Sequence, residues 1–192
     1  MPFPEMDKGA IKDHYQQSEL SLEEQFATEF IRLGGKFVFC AHEQELLDHL
    51  HTLYDDRGWT EMICADERLL HHFQNNRLDF IHPADAGNTT ADASITTCEA
   101  LVARTGSAVL SSKQNLGRIS TAFYPVHIIV AYAGQVVADI QDGLDWIRKK
   151  YGSNLPSMIN LNTGPSRTAD IEKTLVVGVH GPKEVFCFFV NR

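Results

Sequence analysis

Cysteine is scarce in this sequence, and the few cysteines stand far apart. They are Cys40, Cys64, Cys98 and Cys187, mostly within apolar, strand-like segments. Ligands of iron–sulfur clusters normally occur in closely spaced C-x-x-C runs, so this spacing argues against a cluster bound by the chain. Isolated cysteines also argue against a disulfide framework. We expect buried, reduced thiols.

Basic charge and long hydrophobic runs are scarce as well. The 192 residues carry 17 lysines and arginines against 25 aspartates and glutamates, a formal net charge of −8. Apart from Arg148-Lys149-Lys150 there is no basic cluster, and a nucleic-acid surface needs one. No apolar run approaches the ~18 residues that span a bilayer, and residues 1–5 do not resemble a signal peptide. We expect a cytoplasmic protein that binds neither nucleic acid nor membrane.

Familiar catalytic motifs are missing too. The sequence contains no G-x-G-x-x-G, no complete Walker sequence, no H-E-x-x-H and no G-x-S-x-G. The nine histidines show no metal-ligand spacing, which leaves only a tertiary site joining distant residues such as His42, His82, His127 and His180. We therefore expect no metal site and no bound cofactor, so that the purified chain is colourless.

What the sequence does contain is an alternation of apolar strands with amphipathic helices. The capping box Ser21-Leu22-Glu23-Glu24 predicts the first helix, within an N-terminal helical arm of about residues 1–35. Residues 126–132 predict a strand buried on both faces, and residues 139–151 predict a helix. We predict a single α/β domain over residues 1–192, a Rossmann-like mixed or parallel sheet with helices on both faces.

The remaining elements follow from the same patterns. A second capping box, Thr96-x-x-Glu99, predicts a helix that runs to Arg104, with Glu99 as its capping carboxylate. His127, inside the buried strand, is expected to be a satisfied core histidine. Further strands are predicted at 37–40, 61–65, 79–81, 108–111, 157–161 and 185–190, further helices at 42–55 and 66–75, and loops at 84–92 and 112–118.

The turn over residues 164–172 carries the clearest chemical signal. Gly164 permits close approach of a ligand, and the hydroxyls and carboxylates that follow it suit the start of a short helix. The N–H groups of such a start, beside the guanidinium of Arg167, would bind a carboxylate or phosphate. Alternatively, Arg167 pairs with a neighbouring carboxylate and the turn is purely structural. The candidate ligand residues are Gly164, Ser166, Arg167, Thr168 and Asp170.

Two blocks carry a family resemblance. The turn together with residues 172–184 resembles the C-terminal signature of the lactate-utilization LUD-domain family, in its small LutC (YkgG-like) branch. Residues 96–107, followed by Gly117-Arg118, Pro125 and His127, are similar to the central block of that family. The blocks span residues 92–188, about half of the chain, whereas the N-terminal third matches only in general pattern.

The resemblance implies a fold like that of NagB (glucosamine-phosphate deaminase), RpiA (ribose-phosphate isomerase) and CoA transferases. Such folds bind small anions at loops beyond the strand ends, here expected at 82–93, 111–118 and 162–168. The matching blocks add further anion-site candidates, namely Thr105, Gly106, Ser107, Arg118 and His180. Arg118 is either a second anion ligand or an ordinary surface charge, and the imidazole of His180 would suit acid–base chemistry.

The resemblance further implies an accessory subunit of a three-protein L-lactate oxidation system. This chain would bind no redox cofactor, and LutA-like and LutB-like partner subunits would carry the iron–sulfur clusters. The alternative is an independent enzyme or sensor that binds a small phosphorylated, carboxylated or CoA-linked metabolite. A reaction catalysed by the single purified chain would favour that alternative.

Overall fold

A computed structural model describes residues 20–85, 90–114, 123–169, 175–177 and 181–191, with residues 167–169 and 175–177 described by their backbone alone. The helices are α1 (Leu22–Arg32), α2 (Glu43–Arg57), α3 (Glu67–Asn75) and α4 (Ile140–Tyr151). The strands are β1 (Lys36–Cys40), β2 (Met62–Cys64), β3 (Ile81–Pro83), β4 (Ala93–Thr97), β5 (Ala100–Val102), β6 (Ser107–Ser111), β7 (Val126–Tyr132), β8 (Val136–Val137), β9 (Ile159–Asn162), β10 (Arg167–Ala169), β11 (Leu175–Val177) and β12 (Glu184–Val190).

The main sheet has six strands in the order β1-β12-β7-β4-β2-β3. All of its neighbouring pairs are parallel, so the carboxyl ends of these strands share one edge. A second sheet has the order β8-β5-β6-β9, and β10 pairs with β11 as an antiparallel hairpin. The mixed, mostly parallel α/β architecture predicted from the sequence is therefore confirmed.

The core lies on both faces of the main sheet. Alternate residues of β7 point to opposite faces. Ile128 and Val130 pack in one cluster with α2 and α3, whereas Ile129 and Ala131 pack in another with Phe26 and Phe30 of α1. The second sheet shares the face of α1, and α4 packs on its outer side through Ile147. Helices thus cover both faces, as predicted.

Local signals located several elements correctly. Ser21 Oγ accepts from the N–H of Glu24, and the Glu24 carboxylate accepts from the N–H of Ser21, so the predicted capping box begins α1. The buried strand predicted at 126–132 is β7. Asp139 caps α4, which ends at Tyr151 as predicted. Residues 1–19 of the predicted N-terminal arm lie outside the described residues.

The helix predicted from the second capping box is wrong. β4 continues to Thr97, and β5 begins at Ala100. Only residues 103–105 are helical, as a short 3-10 turn. The Thr96 hydroxyl lies 2.8 Å from the imidazole of His127 instead of capping a helix. Glu99 is buried, and its carboxylate accepts hydrogen bonds from side chains distant in the sequence. Tertiary partners therefore override a local pattern that suits a helix start.

An ion-pair cluster joins the amino ends of β1 and β12. The two terminal guanidinium nitrogens of Arg57 each donate to the Glu184 carboxylate at 2.9 Å. The ammonium group of Lys36 also donates to it. The hydrogen bonds from Arg57, reinforced by Lys36, outweigh partial burial and lower the pKa of Glu184 to about 2. Bidentate geometry distinguishes this pair from a loose surface contact.

This cluster predicts a pH dependence of stability. Because the folded-state pKa of Glu184 is below the ordinary value of 4.5, its contribution is complete above pH 4.5 and is lost as the pH falls towards 2. For a carboxylate that is 29% exposed we expect a loss on the order of 2 kcal/mol. Glu184→Gln should flatten the acid limb of urea-unfolding free energies measured from pH 6 to 3. Asp145→Asn, at an exposed pair, should leave that limb unchanged.

Candidate functional site

The order of the strands reverses between β2 and β4. From β2 the chain continues outward to the edge strand β3, then crosses back to β4 on the other side of β2 and proceeds through β7 to β12. In open parallel sheets the loops at the carboxyl ends of the strands diverge at such a reversal, and ligands bind in the crevice between them. The topology therefore marks the carboxyl ends of β2 and β4 as the candidate site.

A cavity of about 400 Å³ lies at this position. Its volume falls within the roughly 300–1,000 Å³ of small-molecule sites. Its walls come from α2, from α3 and from residues at or beyond the carboxyl ends of β2, β4, β6 and β7. The lining residues are Glu43, Asp66, Arg68, Leu69, His72, Thr97, Cys98, Gln114, Tyr132 and Gln135.

Asp66 fixes the wall between β2 and β4. As the N-cap of α3 it accepts from the N–H groups of Arg68 and Leu69, both at 3.0 Å through Oδ1. Its Oδ2 accepts from the Thr97 hydroxyl at 3.1 Å, at the end of β4. Both carboxylate oxygens are therefore occupied by the fold, and Asp66 supplies negative charge and rigidity to the cavity.

Gln114 is anchored at the opposite wall. Its amide Nε2 donates to the carbonyl of Cys98 at 3.0 Å, and Gln135 donates to the same carbonyl at 2.7 Å. Because a carbonyl only accepts, this contact fixes the orientation of the Gln114 amide. Its Oε1 is then left buried without a hydrogen-bond partner among the residues that the structure describes. A buried acceptor without a partner is uncommon and calls for a donor.

Arg68 and His72 supply the basic groups of the cavity. They are four residues apart on α3 and so lie on the same face of the helix. The exposed guanidinium of Arg68 makes no hydrogen bond or ion pair with any described residue. Nε2 of His72 is buried and makes no hydrogen bond with a described residue, and the Glu43 carboxylate is 3.9 Å away. Among the described residues, this wall therefore has a guanidinium without an ion-pair partner and, on the same helix face, an imidazole nitrogen without a hydrogen bond.

Some anion-site candidates from the sequence do come together, at a different place. The hydroxyls of Thr105, Ser107 and Thr163 form a chain with oxygen–oxygen distances of 2.8 and 3.0 Å. Gly106 adopts φ +59° against the backbone of α1, and Gly164, with φ +102°, stands close to the carbonyl of Leu33. Close packing against the end of α1 therefore explains why glycine is needed at both positions.

The described part of the turn, residues 164–169, lies near the amino edge of the main sheet, opposite the cavity. The N–H of Ser166 donates to the carbonyl of Pro182, just before β12. The side-chain amide of Asn162 contacts the imidazole of His127 near the start of β7. The predicted helix start is wrong where it is described, because residues 167–169 form β10 and pair with the apolar strand β11, which contains two β-branched valines. The side chains of Arg167 and Thr168, and all of Arg118, Asp170 and His180, lie outside the described residues.

Comparison with known proteins identifies the family. The LUD domain profile matches residues 23–190, most of the chain. The chain belongs to the LUD domain family. It is 39% identical over 103 residues to lactate utilization protein C of Bacillus subtilis, an alignment that covers 53% of this chain and 43% of that protein. It thus aligns with less than half the length of that relative.

Two further comparisons extend the likeness along this LUD domain. Lactate utilization protein C of Anoxybacillus flavithermus is 29% identical over 190 residues, covering 93% of this chain and 84% of that protein. A crystal structure of a DUF162 family protein from Deinococcus radiodurans matches with a TM-score of 0.64 and 20% identity, covering 89% of this chain and 99% of that one. That structure supports the fold alone, the mixed α/β architecture described above.

Other polar groups of the LUD domain have structural roles. His127 is fully buried, lies 2.8 Å from the Thr96 hydroxyl and 3.3 Å from the Asn162 amide, and burial lowers its pKa to about 4. It is the satisfied core histidine that the sequence predicts. All four cysteines are buried and free, and burial raises the pKa of Cys64 and Cys98 to about 12. Neutral, buried thiols are poor nucleophiles.

No cluster of metal ligands occurs among the residues that the structure describes, and no helix there is long and apolar enough to cross a membrane. Sequence reasoning missed the residues that do line the cavity. The available signal was their position, because Asp66 directly follows a predicted strand and Arg68 and His72 share one face of the predicted helix 66–75. Which strands lie beside them depends on a sheet order that the sequence leaves open.

Proposed function

We propose that this LUD domain is an accessory subunit of an iron–sulfur L-lactate oxidation system that converts lactate to pyruvate. The cavity at the carboxyl edge of the main sheet is the place where it holds a small ligand. The LutA-like and LutB-like partner subunits carry the iron–sulfur clusters.

The observation that carries this proposal is membership of the LUD domain family together with relatives named lactate utilization protein C. The location of the cavity supports it independently, because the strand reversal between β2 and β4 is where open α/β sheets bind small ligands. The uncommitted guanidinium of Arg68 in that cavity suits a carboxylate.

Electron balance is the reason for placing the redox centres on partners. Oxidation of lactate to pyruvate releases two electrons and two protons, and protein side chains alone provide no two-electron acceptor of this kind. The sequence has neither a dinucleotide fingerprint nor cluster-spaced cysteines. We therefore assign the electrons to iron–sulfur clusters of the partners, and the protons to water or to basic groups of the complex. On this proposal the isolated chain is colourless.

Deletion of the gene should impair growth on L-lactate and spare growth on glucose. The reason is that a subunit of the lactate system is dispensable when lactate is not the carbon source. Affinity purification of the tagged chain from lactate-grown cells should also recover cluster-bearing subunits, identified by mass spectrometry and by iron and sulfide content.

Two results would contradict the proposal. Unchanged growth on L-lactate after deletion would remove the chain from the pathway. Oxidation of L-lactate by the purified chain alone, with an artificial acceptor, would make it an independent enzyme, the alternative that the sequence left open.

A further inference from the structure

The cavity contains one anchor for an anion. Arg68 lines it, its guanidinium is exposed, and it has no ion-pair partner among the described residues. Several other arginines of the described chain are ion-paired, for example Arg57 with Glu184 and Arg104 with Asp139. A planar guanidinium binds a carboxylate through two parallel hydrogen bonds. Arg68 is therefore placed to hold one carboxylate at the mouth of the cavity.

Two buried polar atoms then require a partner of their own. Gln114 Oε1 and His72 Nε2 both belong to cavity residues, and neither makes a hydrogen bond within the described part of the chain. The amide oxygen can only accept, so its partner must be a donor. A hydroxyl group on the same ligand satisfies that need, whereas a second carboxylate or a keto group does not. The acceptor therefore selects a ligand that carries a hydrogen-bond donor, which in a hydroxy acid is its O–H group.

The charge of the walls limits the charge of the ligand. Among the described lining residues, Glu43 and Asp66 supply two carboxylates against the one guanidinium of Arg68. A phosphate ester or a CoA thioester would bring two or more negative charges against these carboxylates, and like charges in a confined site repel. A monoanion neutralises Arg68 and meets a smaller repulsion from the two carboxylates than a dianion does.

We propose that Arg68, Gln114 and His72 form a binding site for a hydroxy monocarboxylate, with the carboxylate on Arg68 and the hydroxyl within reach of the Gln114 amide oxygen and the His72 imidazole. This assignment rests on the proposed function for its preferred ligand, L-lactate. It separates that ligand from the phosphorylated and CoA-linked metabolites that the sequence left open.

Isothermal titration of the purified full-length chain, in a buffer free of carboxylate and phosphate, tests the site. The ligands are L-lactate, propionate, pyruvate and inorganic phosphate. Propionate lacks the hydroxyl, and pyruvate carries a keto group in its place. We expect L-lactate to bind about 5- to 10-fold more tightly than propionate or pyruvate, the effect of one hydrogen bond. Inorganic phosphate should bind more weakly than L-lactate.

Variants separate the two halves of the site. Arg68→Gln should weaken L-lactate binding by roughly 10- to 100-fold, since hydrogen bonds to charged groups are lost. Arg148→Gln removes the same charge from an exposed pair on α4 and should change nothing. Gln114→Met should remove the preference for lactate over propionate and keep propionate binding within about 2-fold. Thermal melts within about 2 °C of the wild type would show that these surface and rim substitutions leave the fold intact.

Tight binding of phosphate with none of lactate, or equal binding by Arg68→Gln and the wild type, would overturn the assignment. So would a Gln114→Met variant that retains the lactate preference. These results concern the isolated chain and leave the growth and co-purification tests untouched. Conversely, a chain that binds lactate as described but is dispensable for growth on lactate would retain the site and lose the proposed pathway.

Discussion

Gly106→Ala is expected to destabilise the fold by about 4 kcal/mol, whereas Gly58→Ala should cost about 1 kcal/mol. Both glycines have φ +59°, so alanine suffers the same left-handed strain at either position. Their surroundings differ. A Cβ atom at Gly106 would stand 2.5 Å from the backbone nitrogen of Phe30, while a Cβ atom at Gly58 meets nothing within 4 Å. The difference between the two unfolding free energies therefore measures the cost of the steric clash, because the cost of the left-handed backbone is the same in both variants.

The steric term is large because the contact at Gly106 is with backbone, which cannot rotate away. α1 would have to move outward, and its buried Phe26 and Phe30 would lose part of their packing in the core. Full burial of such a side chain is worth about 1.5 to 3 kcal/mol. Urea unfolding of both variants measures the difference. Equal costs at the two positions would contradict the close packing of the 3-10 turn against α1.

Lys150→Met should destabilise the fold by about 3 kcal/mol, at the lower end of the cost of breaking a buried ion pair. The side chain of Glu99 is completely buried, and its Oε2 accepts from Lys150 Nζ at 2.8 Å. Its Oε1 accepts from the hydroxyls of Ser111 at 2.5 Å and Tyr151 at 2.7 Å. Partial burial lowers the pKa of Lys150, but the hydrogen bond to Glu99 raises it above its ordinary value overall.

Lys149→Met provides the matched control for this substitution. Lys149 is the preceding residue of α4, is exposed and has no ion-pair partner among the described residues. Its replacement removes the same charge without leaving a buried carboxylate unpaired, and we expect a change within about 0.5 kcal/mol. Similar unfolding free energies for the two variants would show that Glu99 does not depend on Lys150.

Elements with complete local signals could be predicted from the sequence. The capping box at Ser21, the apolar run of β7 and the amphipathic pattern of α4 each depend on residues within a few positions of one another. The Thr96-x-x-Glu99 pattern failed because its side chains serve distant partners. Thr96 contacts a residue 31 positions away, and Glu99 binds Lys150 from 51 positions away. No local rule includes such contacts.

The candidate site required the order of the strands. The sequence placed Asp66 after a strand and Arg68 and His72 on a helix, but only the topology shows that β4 and β7 end beside them. In the turn at 164–172, the glycine and the arginine predict an anion site. Gly164, however, is explained by its approach to the carbonyl of Leu33 at the end of α1. Anion binding by that turn stays a prediction.

Complementation of the gene deletion is the most direct test of the claim that the cavity serves lactate utilization. It measures in one experiment whether a cavity residue is needed for growth on L-lactate. The deletion strain would receive the wild-type gene, Arg68→Gln or Arg148→Gln, with equal protein levels verified by immunoblot. If the cavity binds lactate through Arg68, the wild type and Arg148→Gln will restore growth on L-lactate and Arg68→Gln will not. Full restoration of growth by Arg68→Gln would contradict it.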